Sequence, residues 1–337
     1  MNAAQQENSI RTQWRAGAQQ FVLQTSGSTG APASYTLSRK LLEWSAAQTA
    51  AALKIQKEDR IYCCLPLDKA GGFMQVIRSE IWQVPLGCDP PDLHPMRRLE
   101  PGHPYSITSL TTGQLAAALT VPEETEKLRA FRVVLIGGEA LPETMETAAM
   151  QQGIRFLHTY GMTETASHIA LRKAGTPHFI PFEGVRIYSA GEDRHLVIDI
   201  PGILDAPLHT RDAAVIHADG SFNILGRVDS VINSGGVKIQ AEAVEALIHS
   251  SGVLGERRFI ISAKPHPQWG ESVVLVAEGL PMSLDLGLLK ALIHQNIPYG
   301  YPKEVEFMDH LPLTETGKIR RGQIRRILEN KPNRDSV

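Results

Sequence analysis

The chain of 337 residues is short of several things, and each shortage closes a class of function. No apolar run approaches the roughly 18 residues that carry a helix across a bilayer, so no membrane span is expected. Residues 1 to 20 are polar and lack the apolar stretch of a secretion signal, which makes the cytoplasm the expected compartment. Charge of one sign is missing too: Lys plus Arg is 34 and Asp plus Glu is 36. Without a basic excess, and without basic runs interleaved with aromatics, nucleic acid is not an expected partner. Cysteine is scarce. Cys63, Cys64 and Cys88 lack a metal-ligand spacing, and an odd count argues against a disulfide framework. They read as small buried apolar residues in a reducing compartment. No internal repeat is visible.

What is present is enough apolar residue, 42%, for one large core and a smaller second one. From residue 20 to 160 short apolar runs alternate with helix-like stretches. Strands are expected at Phe21–Leu23, Ile61–Leu65, Tyr105–Leu110, Val133–Ile136 and Ile154–Leu157. Helices are expected from Leu41 to Leu53, capped by Ser38, and after Leu141-Pro142, with proline in the first turn. Strands separated by helices imply an α/β fold with a mostly parallel sheet covered on both faces. From about residue 184 the texture becomes β-rich, with strands at His195–Ile200 and Ala213–His217 and a hairpin turn at Asp219-Gly220. After Gly226-Arg227 the pattern is strand, glycine turn, helix (Ala241–His249), strands near 258 and 273, and a helix near 287–295, which suits a small α+β domain. The charged tail from Arg320 to Val337 reads as a solvated helix that frays.

Four segments carry chemistry. Thr25-Ser26-Gly27-Ser28-Thr29-Gly30 follows a strand, and its glycines and hydroxyls offer N–H and O–H donors to phosphate oxygens. It lacks the Gly-Lys-Ser/Thr ending of a Walker A loop. Tyr160-Gly161-Met162-Thr163-Glu164-Thr165 puts hydroxyls and a carboxylate at the mouth of the sheet, suiting a phosphate contact and Mg²⁺. The other two are Gly226-Arg227-Val228-Asp229 leading to Gly235-Gly236, and Thr314-Glu315-Thr316-Gly317-Lys318-Ile319. Taken singly, each admits a plainer reading: a Ser/Gly loop, a helix start capped by threonine, a solvated lysine.

In this order the four segments resemble the acyl-adenylate-forming superfamily of acyl-CoA synthetases, peptide-synthetase adenylation domains and luciferases. The resemblance runs from about Phe21 to Arg321 and includes further matches. Leu65-Pro66-Leu67 with Gly71-Gly72 stands at the family's acyl-pocket motif, and Gly137-Gly138-Glu139 at its adenine-side loop. Thr210-Arg211-Asp212 matches the position whose aspartate holds the ribose hydroxyls, which Arg227 also reaches. The stretch from His158 to Ala170 is similar to the version carried by o-succinylbenzoate–CoA ligases of menaquinone synthesis. The phosphate loop begins only about 25 residues in, so the N-terminal subdomain is shortened relative to the family.

The resemblance implies ATP, Mg²⁺, a small-molecule carboxylic acid and coenzyme A as ligands. Residues 1–226 form the ATP and acyl domain, 227–230 a hinge, and 231–337 a mobile C-terminal domain. The acid attacks the α-phosphate and pyrophosphate leaves, so positioning and positive charge matter more than a nucleophilic side chain. Thr163 and Glu164 serve catalysis, with Glu164 on Mg²⁺; Lys318 bridges the acid and the α-phosphate. Tyr160, Gly161 and Met162 join the nucleotide site. Rotation about Asp229 then withdraws Lys318 and presents Gly235, Gly236 and Lys238 to the pantetheine arm. Lys69, Gly71, Gly72, Ser109 and His168 are expected on the acid, with Lys69 and His168 beside a second carboxylate. The chain departs from the family at three places. Ala33 stands where a lysine usually follows the phosphate loop, with Arg39 or Lys40 as conceivable replacements. Asp68-Lys69 replaces an aromatic–histidine pair, and Ala241 replaces a proline. Other functions share these motifs: an adenylation enzyme or CoA ligase for another aryl or aliphatic acid, an adenylation enzyme that loads a carrier protein, and a nucleotide-binding pseudoenzyme.

Overall fold

A computed structural model describes residues 2–25, 33–191, 194–255, 257–313 and 319–330. The chain starts with helix α1 (Ala3–Arg15) and an antiparallel ribbon of β1 (Gln20–Thr25) and β2 (Ala33–Ser38). The expected strand at Phe21–Leu23 therefore exists but pairs within this ribbon, not with the parallel sheet. Ser38 accepts a hydrogen bond from the Leu41 amide at 3.2 Å and starts α2 (Arg39–Leu53), as its side chain and position foretell.

Next come β3 (Ile61–Cys63), α3 (Ala70–Trp82), β4 (Leu86–Cys88), β5 (Ile107–Thr111), α4 (Thr112–Leu119), α5 (Pro122–Ala130) and β6 (Val133–Gly137). The unit ends with α6 (Glu143–Gln151), β7 (Phe156–Met162), β8 (Ser167–Lys173) and β9 (Ile180–Pro181). Pro142 caps α6 from just outside it, one position earlier than the sequence suggests. The seven strands lie in the order β4-β3-β5-β6-β7-β8-β9. The first five are parallel; β8 and β9 add antiparallel at one side. In β6 the four residues Val133–Ile136 are all buried, the unbroken apolar run of a strand covered on both faces. The three cysteines are free; Cys63 and Cys64 are buried and Cys88 half-buried.

The β-rich part is a four-stranded antiparallel sheet of β10 (Arg186–Ala190), β11 (His195–Asp199), β12 (Leu208–Ile216) and β13 (Phe222–Arg227). Its own core includes Leu196, Ile198 and Phe222. The C-terminal part holds β14 (Val231–Ser234), β15 (Val237–Gln240), α7 (Ala241–Ser251), β16 (Phe259–His266), β17 (Gly270–Glu278), α8 (Leu286–His294), β18 (Glu304–Met308) and α9 (Arg321–Glu329). Its five strands form one sheet with a separate core around Val244, Ile261 and Leu275. Helix α9 is not the solvated tail expected from its charge. Ile324 and Leu328, one turn apart, are buried against Ile260, Val274 and Val276, and Arg321 pairs with Glu245.

Candidate active site

The site gathers where β7 leaves the sheet. The chain continues into a single tight turn, Thr163–Thr165, and then directly into β8, so no helix follows the motif. Thr165 Oγ1 donates to the Ser167 carbonyl at 2.7 Å and accepts from the Met162 amide at 3.1 Å, which clamps the turn. Gly161 sits at a register shift opposite His168. A Cβ there would lie 2.0 Å from the Ser167 carbonyl oxygen, so only glycine lets the two backbones meet. The turn packs against β2, whose Tyr35 phenol hydrogen-bonds the Glu164 carboxylate; that bond and the carboxylate's charge raise the Tyr35 pKa.

Across the end of β7 runs β12. Tyr160 donates to Asp212 Oδ2 at 2.6 Å, and both are drawn from water. Burial raises the Asp212 carboxyl above its ordinary value, against the opposing pull of the Tyr160 hydrogen bond and the Arg227 charge. Asp212 and Arg227 are register partners on β12 and β13, with Arg227 Nη1 3.6 Å from Asp212 Oδ1. Arg227 grips Asp229 through Nε and Nη2, each at 2.9 Å. Burial disfavours the Asp229 charge, but the hydrogen bonds and charges of Arg227 and Arg211 outweigh it and lower its pKa. Asp229 lies in a single turn, Val228–Ser230, between the β-rich sheet and the C-terminal sheet. The aspartate and arginine expected at the ribose thus stand side by side with the expected hinge residue.

The adenine-side loop, with Gly138 and Glu139, follows β6. Sequence reasoning missed what fixes it. His158 Nε2 donates to the Glu139 carbonyl at 3.1 Å, while Nδ1 accepts from Arg172 Nη2 at 3.2 Å. Arg172 is held bidentate by Glu146, at 2.7 and 3.0 Å. Burial lowers the His158 pKa to about 4, so the imidazole is neutral and its tautomer is set by these partners.

On the acyl side, Gly71 and Gly72 form the first turn of α3, and Lys69 caps it through its backbone position, with Nζ 3.5 Å from Asp68. His168 is buried on β8, against expectation for a ligand contact. Thr49 Oγ1 donates to Ser45 O, so His168 Nε2 donates to Thr49 Oγ1 at 3.1 Å; Nδ1 takes the Ser167 hydroxyl at 3.3 Å. Both ring nitrogens are engaged inside the protein, and burial, with the charge of Arg78, holds the ring well below its ordinary pKa. Lys69 and His168, expected beside a second carboxylate, thus stand beside Asp68 and between the Thr49 and Ser167 hydroxyls respectively. Ser109, in the middle of β5, accepts from Gln75 Nε2. One turn further along α3, Arg78 is 2% exposed, and its Nε and Nη2 have no hydrogen-bond partner among the described residues. Burial alone lowers its pKa to about 9. A signal for it stands in the sequence: one charged residue closing the run Phe73-Met74-Gln75-Val76-Ile77.

In the C-terminal part Gly235 and Gly236 join β14 to β15 with φ of 60° and 81°, the left-handed pair that a two-residue hairpin turn demands. The Gly235 amide donates to the Trp269 carbonyl at 2.8 Å, and Lys238 is exposed on β15. Ser26, Gly27, Ser28, Thr29, Gly30 and Lys318 lie outside the described residues, as does the Thr25 side chain.

The profile of AMP-binding enzymes matches residues 5–192, more than half of the chain. A feruloyl-CoA synthase from Amycolatopsis is 27% identical, with 91% of this chain and 69% of that protein aligned. A 2-succinylbenzoate–CoA ligase from Listeria innocua is 26% identical over 90% of this chain and 69% of its own length. Among solved structures, o-succinylbenzoate CoA synthetase from Bacillus subtilis, in complex with its acyl-adenylate intermediate, superposes with a TM-score of 0.76 at 22% identity, covering 94% of this chain and 70% of that one. The same Bacillus enzyme has been solved with ATP and a magnesium ion. The chain belongs to the AMP-binding enzyme family, among its acyl-CoA ligases. It is shorter than these relatives by about 30% of their length.

Proposed function

We propose that the chain joins an aryl acid bearing a second carboxylate, o-succinylbenzoate above all, to coenzyme A through an acyl-adenylate. The observation that carries the choice of acid is Arg78. A buried guanidinium whose Nε and Nη2 find no partner among the described residues is unfavourable until an anion meets it. Adenylation removes the charge of the carboxylate that reacts, so a monoacid such as ferulate brings no lasting anion. o-Succinylbenzoate keeps its benzoate carboxylate through both half-reactions, and a bidentate arginine contact suits it. The similarity to 2-succinylbenzoate–CoA ligases, and the motif from His158 to Ala170, support the same acid.

Each group then has a task. Asp212 and Arg227 hold the ribose, and the His158–Arg172–Glu146 chain keeps the Glu139 carbonyl in place on the adenine side. Glu164 fits Mg²⁺, a hard cation that takes carboxylate and phosphate oxygens. When bound, Mg²⁺ neutralises charge on the leaving pyrophosphate. Lys318 bridges the acid and the α-phosphate; Arg321, three residues on, senses the charge of Glu139, consistent with work over the adenylate. Gly235 and Gly236 let the pantetheine arm approach the backbone after rotation about Asp229.

The test is product analysis with ATP, Mg²⁺, CoA and a panel of acids. AMP, pyrophosphate and the acyl-CoA are expected, with kcat/KM highest for o-succinylbenzoate and lowered by esterifying its benzoate carboxylate. ADP and phosphate would overturn the reaction class, and equal rates for the acid and its monoester would overturn the choice of acid. A carrier protein accepted in place of CoA would overturn the assigned acceptor.

A further inference from the structure

The C-terminal part meets Arg227 through two side chains that belong to none of the motifs. Gln240 closes β15, and Glu242 stands in the first turn of α7. Both are half-buried. In the strand ladder Gln240 is the partner of Val231, the first residue of β14 after the turn that carries Asp229. From there its side chain reaches back across that turn. The Nε2 amide donates to the Arg227 carbonyl at 2.9 Å and to Glu242 Oε2 at 2.5 Å. Both protons of one amide are thus used, which fixes its direction. Helix α7 packs against β13 beside this contact. The approach depends on Gly226, which is buried in β13. A Cβ there would lie 2.4 Å from both Gln240 Nε2 and Glu242 Oε2 and would push the pair off.

Arg227 is therefore held at both ends. Its guanidinium is gripped by Asp229 and lies 3.6 Å from Asp212. Its carbonyl is gripped by Gln240. The two holds differ in origin. Asp212 and Asp229 come from β12 and from the turn next to Arg227 itself, whereas Gln240 comes from beyond that turn. Glu242 is backed from its own side, where Arg321 Nε lies 3.9 Å away and Arg321 pairs with Glu245. A rotation about Asp229 would carry β15 and α7 off β13. It would break the bond from Gln240 to Arg227 and leave the bond from Gln240 to Glu242 intact.

We propose that Gln240 and Glu242 are positioning residues for adenylate formation, which hold Arg227 at the ribose only while the C-terminal part is seated on β13. Glu242 orients the Gln240 amide, and the amide orients the main chain at Arg227. The ribose contact thereby depends on the seating. By linkage, a nucleotide that uses Arg227 favours the seated arrangement in return. The proposal rests on the reading of Arg227 as a ribose contact in an adenylate-forming enzyme.

The experiment reads adenylation by pyrophosphate exchange and transfer by consumption of supplied acyl-adenylate at saturation. Gln240→Glu keeps the side-chain length but sets a carboxylate against the Arg227 carbonyl and Glu242. It is expected to raise the KM of MgATP in exchange about 3- to 10-fold, the range of one hydrogen bond, with the KM of the acid unchanged. Gln240→Ala should act in the same direction. Glu242→Gln still offers Gln240 an acceptor and should lose less than Glu242→Ala. Consumption of supplied adenylate should run at the wild-type rate or faster. Titration calorimetry with dideoxy-ATP, which lacks both ribose hydroxyls, should find wild type and Gln240→Ala alike. A wild-type KM for MgATP in both Gln240 variants overturns the proposal. So does an equal loss for ATP and dideoxy-ATP, which would make the pair a support of the fold and not of the ribose contact. If Arg227→Ala itself leaves MgATP unaffected, the ribose reading falls instead.

Discussion

Replacing Arg78 by methionine should make the empty protein more stable and the enzyme worse. The guanidinium is fully enclosed, and burial lowers its pKa from 12.5 to about 9. At 1.36 kcal/mol per pH unit, that difference corresponds to about 5 kcal/mol of unfavourable solvation for the charged form. Methionine has a similar length, no charge and a flexible apolar chain that suits a buried position on α3, where Phe73, Met74 and Ile77 are also buried. Part of the gain is lost because methionine does not fill the planar slot as the guanidinium does. A net stabilisation of about 1–4 kcal/mol is expected, the range seen when buried charges give way to apolar groups. Urea unfolding reads it, with Trp14, Trp44 and Trp82 reporting on the cores around α3. With o-succinylbenzoate, kcat/KM should fall by about 10²-fold, the loss of roughly 3 kcal/mol from one buried charged contact. The benzoate monoester should lose nothing, or gain. A variant less stable than wild type by more than 1 kcal/mol would show that the native fold satisfies the guanidinium. Equal losses for the diacid and its ester would remove Arg78 from the acid site.

Three further outcomes follow from named groups. Lys318→Ala should slow adenylate formation by about 10²–10³-fold, or 3–4 kcal/mol, yet spare thioester formation from supplied acyl-adenylate; equal damage to both halves, by pyrophosphate exchange and adenylate consumption, would give Lys318 another role. Asp229→Pro fixes φ near −65° and also deletes the carboxylate that Arg227 grips, so transfer to CoA should slow while adenylation persists; transfer at the wild-type rate would place the hinge elsewhere. His158 titrates near 6.5 when unfolded but at about 4 when folded, so the unfolded state binds more protons between those values. Its contribution is complete above pH 6.5 and falls as pH drops toward 4, by about 3 kcal/mol. His158→Gln should flatten that part of the stability curve, and an unchanged slope in urea titrations at pH 7 and 4.5 would refute the assignment.

The parallel sheet was legible because each strand covered on both faces is an unbroken apolar run, as Val133–Ile136 shows. The antiparallel strand β8 was not, because Thr163-Glu164-Thr165 reads as a helix start. What turns the chain back is a contact between Gly161 and the Ser167–His168 backbone, and spacing alone does not reveal it. Helix α3 was hidden for a related reason: Gly71-Gly72 looks like a loop until the apolar residues after it close a core. Helix α9 was misjudged from its charge, although Ile324 and Leu328 already stood one turn apart. The domain limits at 227–230 remain a proposal that the Asp229 experiment bears on.

The same physics explains why sequence motifs point to nucleotide residues more readily than to a partner for the acid. A nucleotide presents the same phosphates and ribose to every member of the family, so the residues proposed to hold it fall in local motifs such as Tyr160–Glu164 and Thr210–Asp212. An acid pocket is built by whichever elements happen to enclose it. Here α2, α3 and β8 converge: Thr49 takes His168, Gln75 takes Ser109, and Arg78 is left over. Sequence reasoning chose Lys69 and His168 because they lie beside motifs, and it weighed charge without burial. A half-buried lysine beside Asp68 is partly neutralised by it. A guanidinium removed from water and denied a partner interacts with an incoming carboxylate at low dielectric, where each such contact discriminates strongly. On the proposed reading, selectivity for a diacid would rest on Arg78, a buried arginine of α3 whose Nε and Nη2 lack a partner among the described residues.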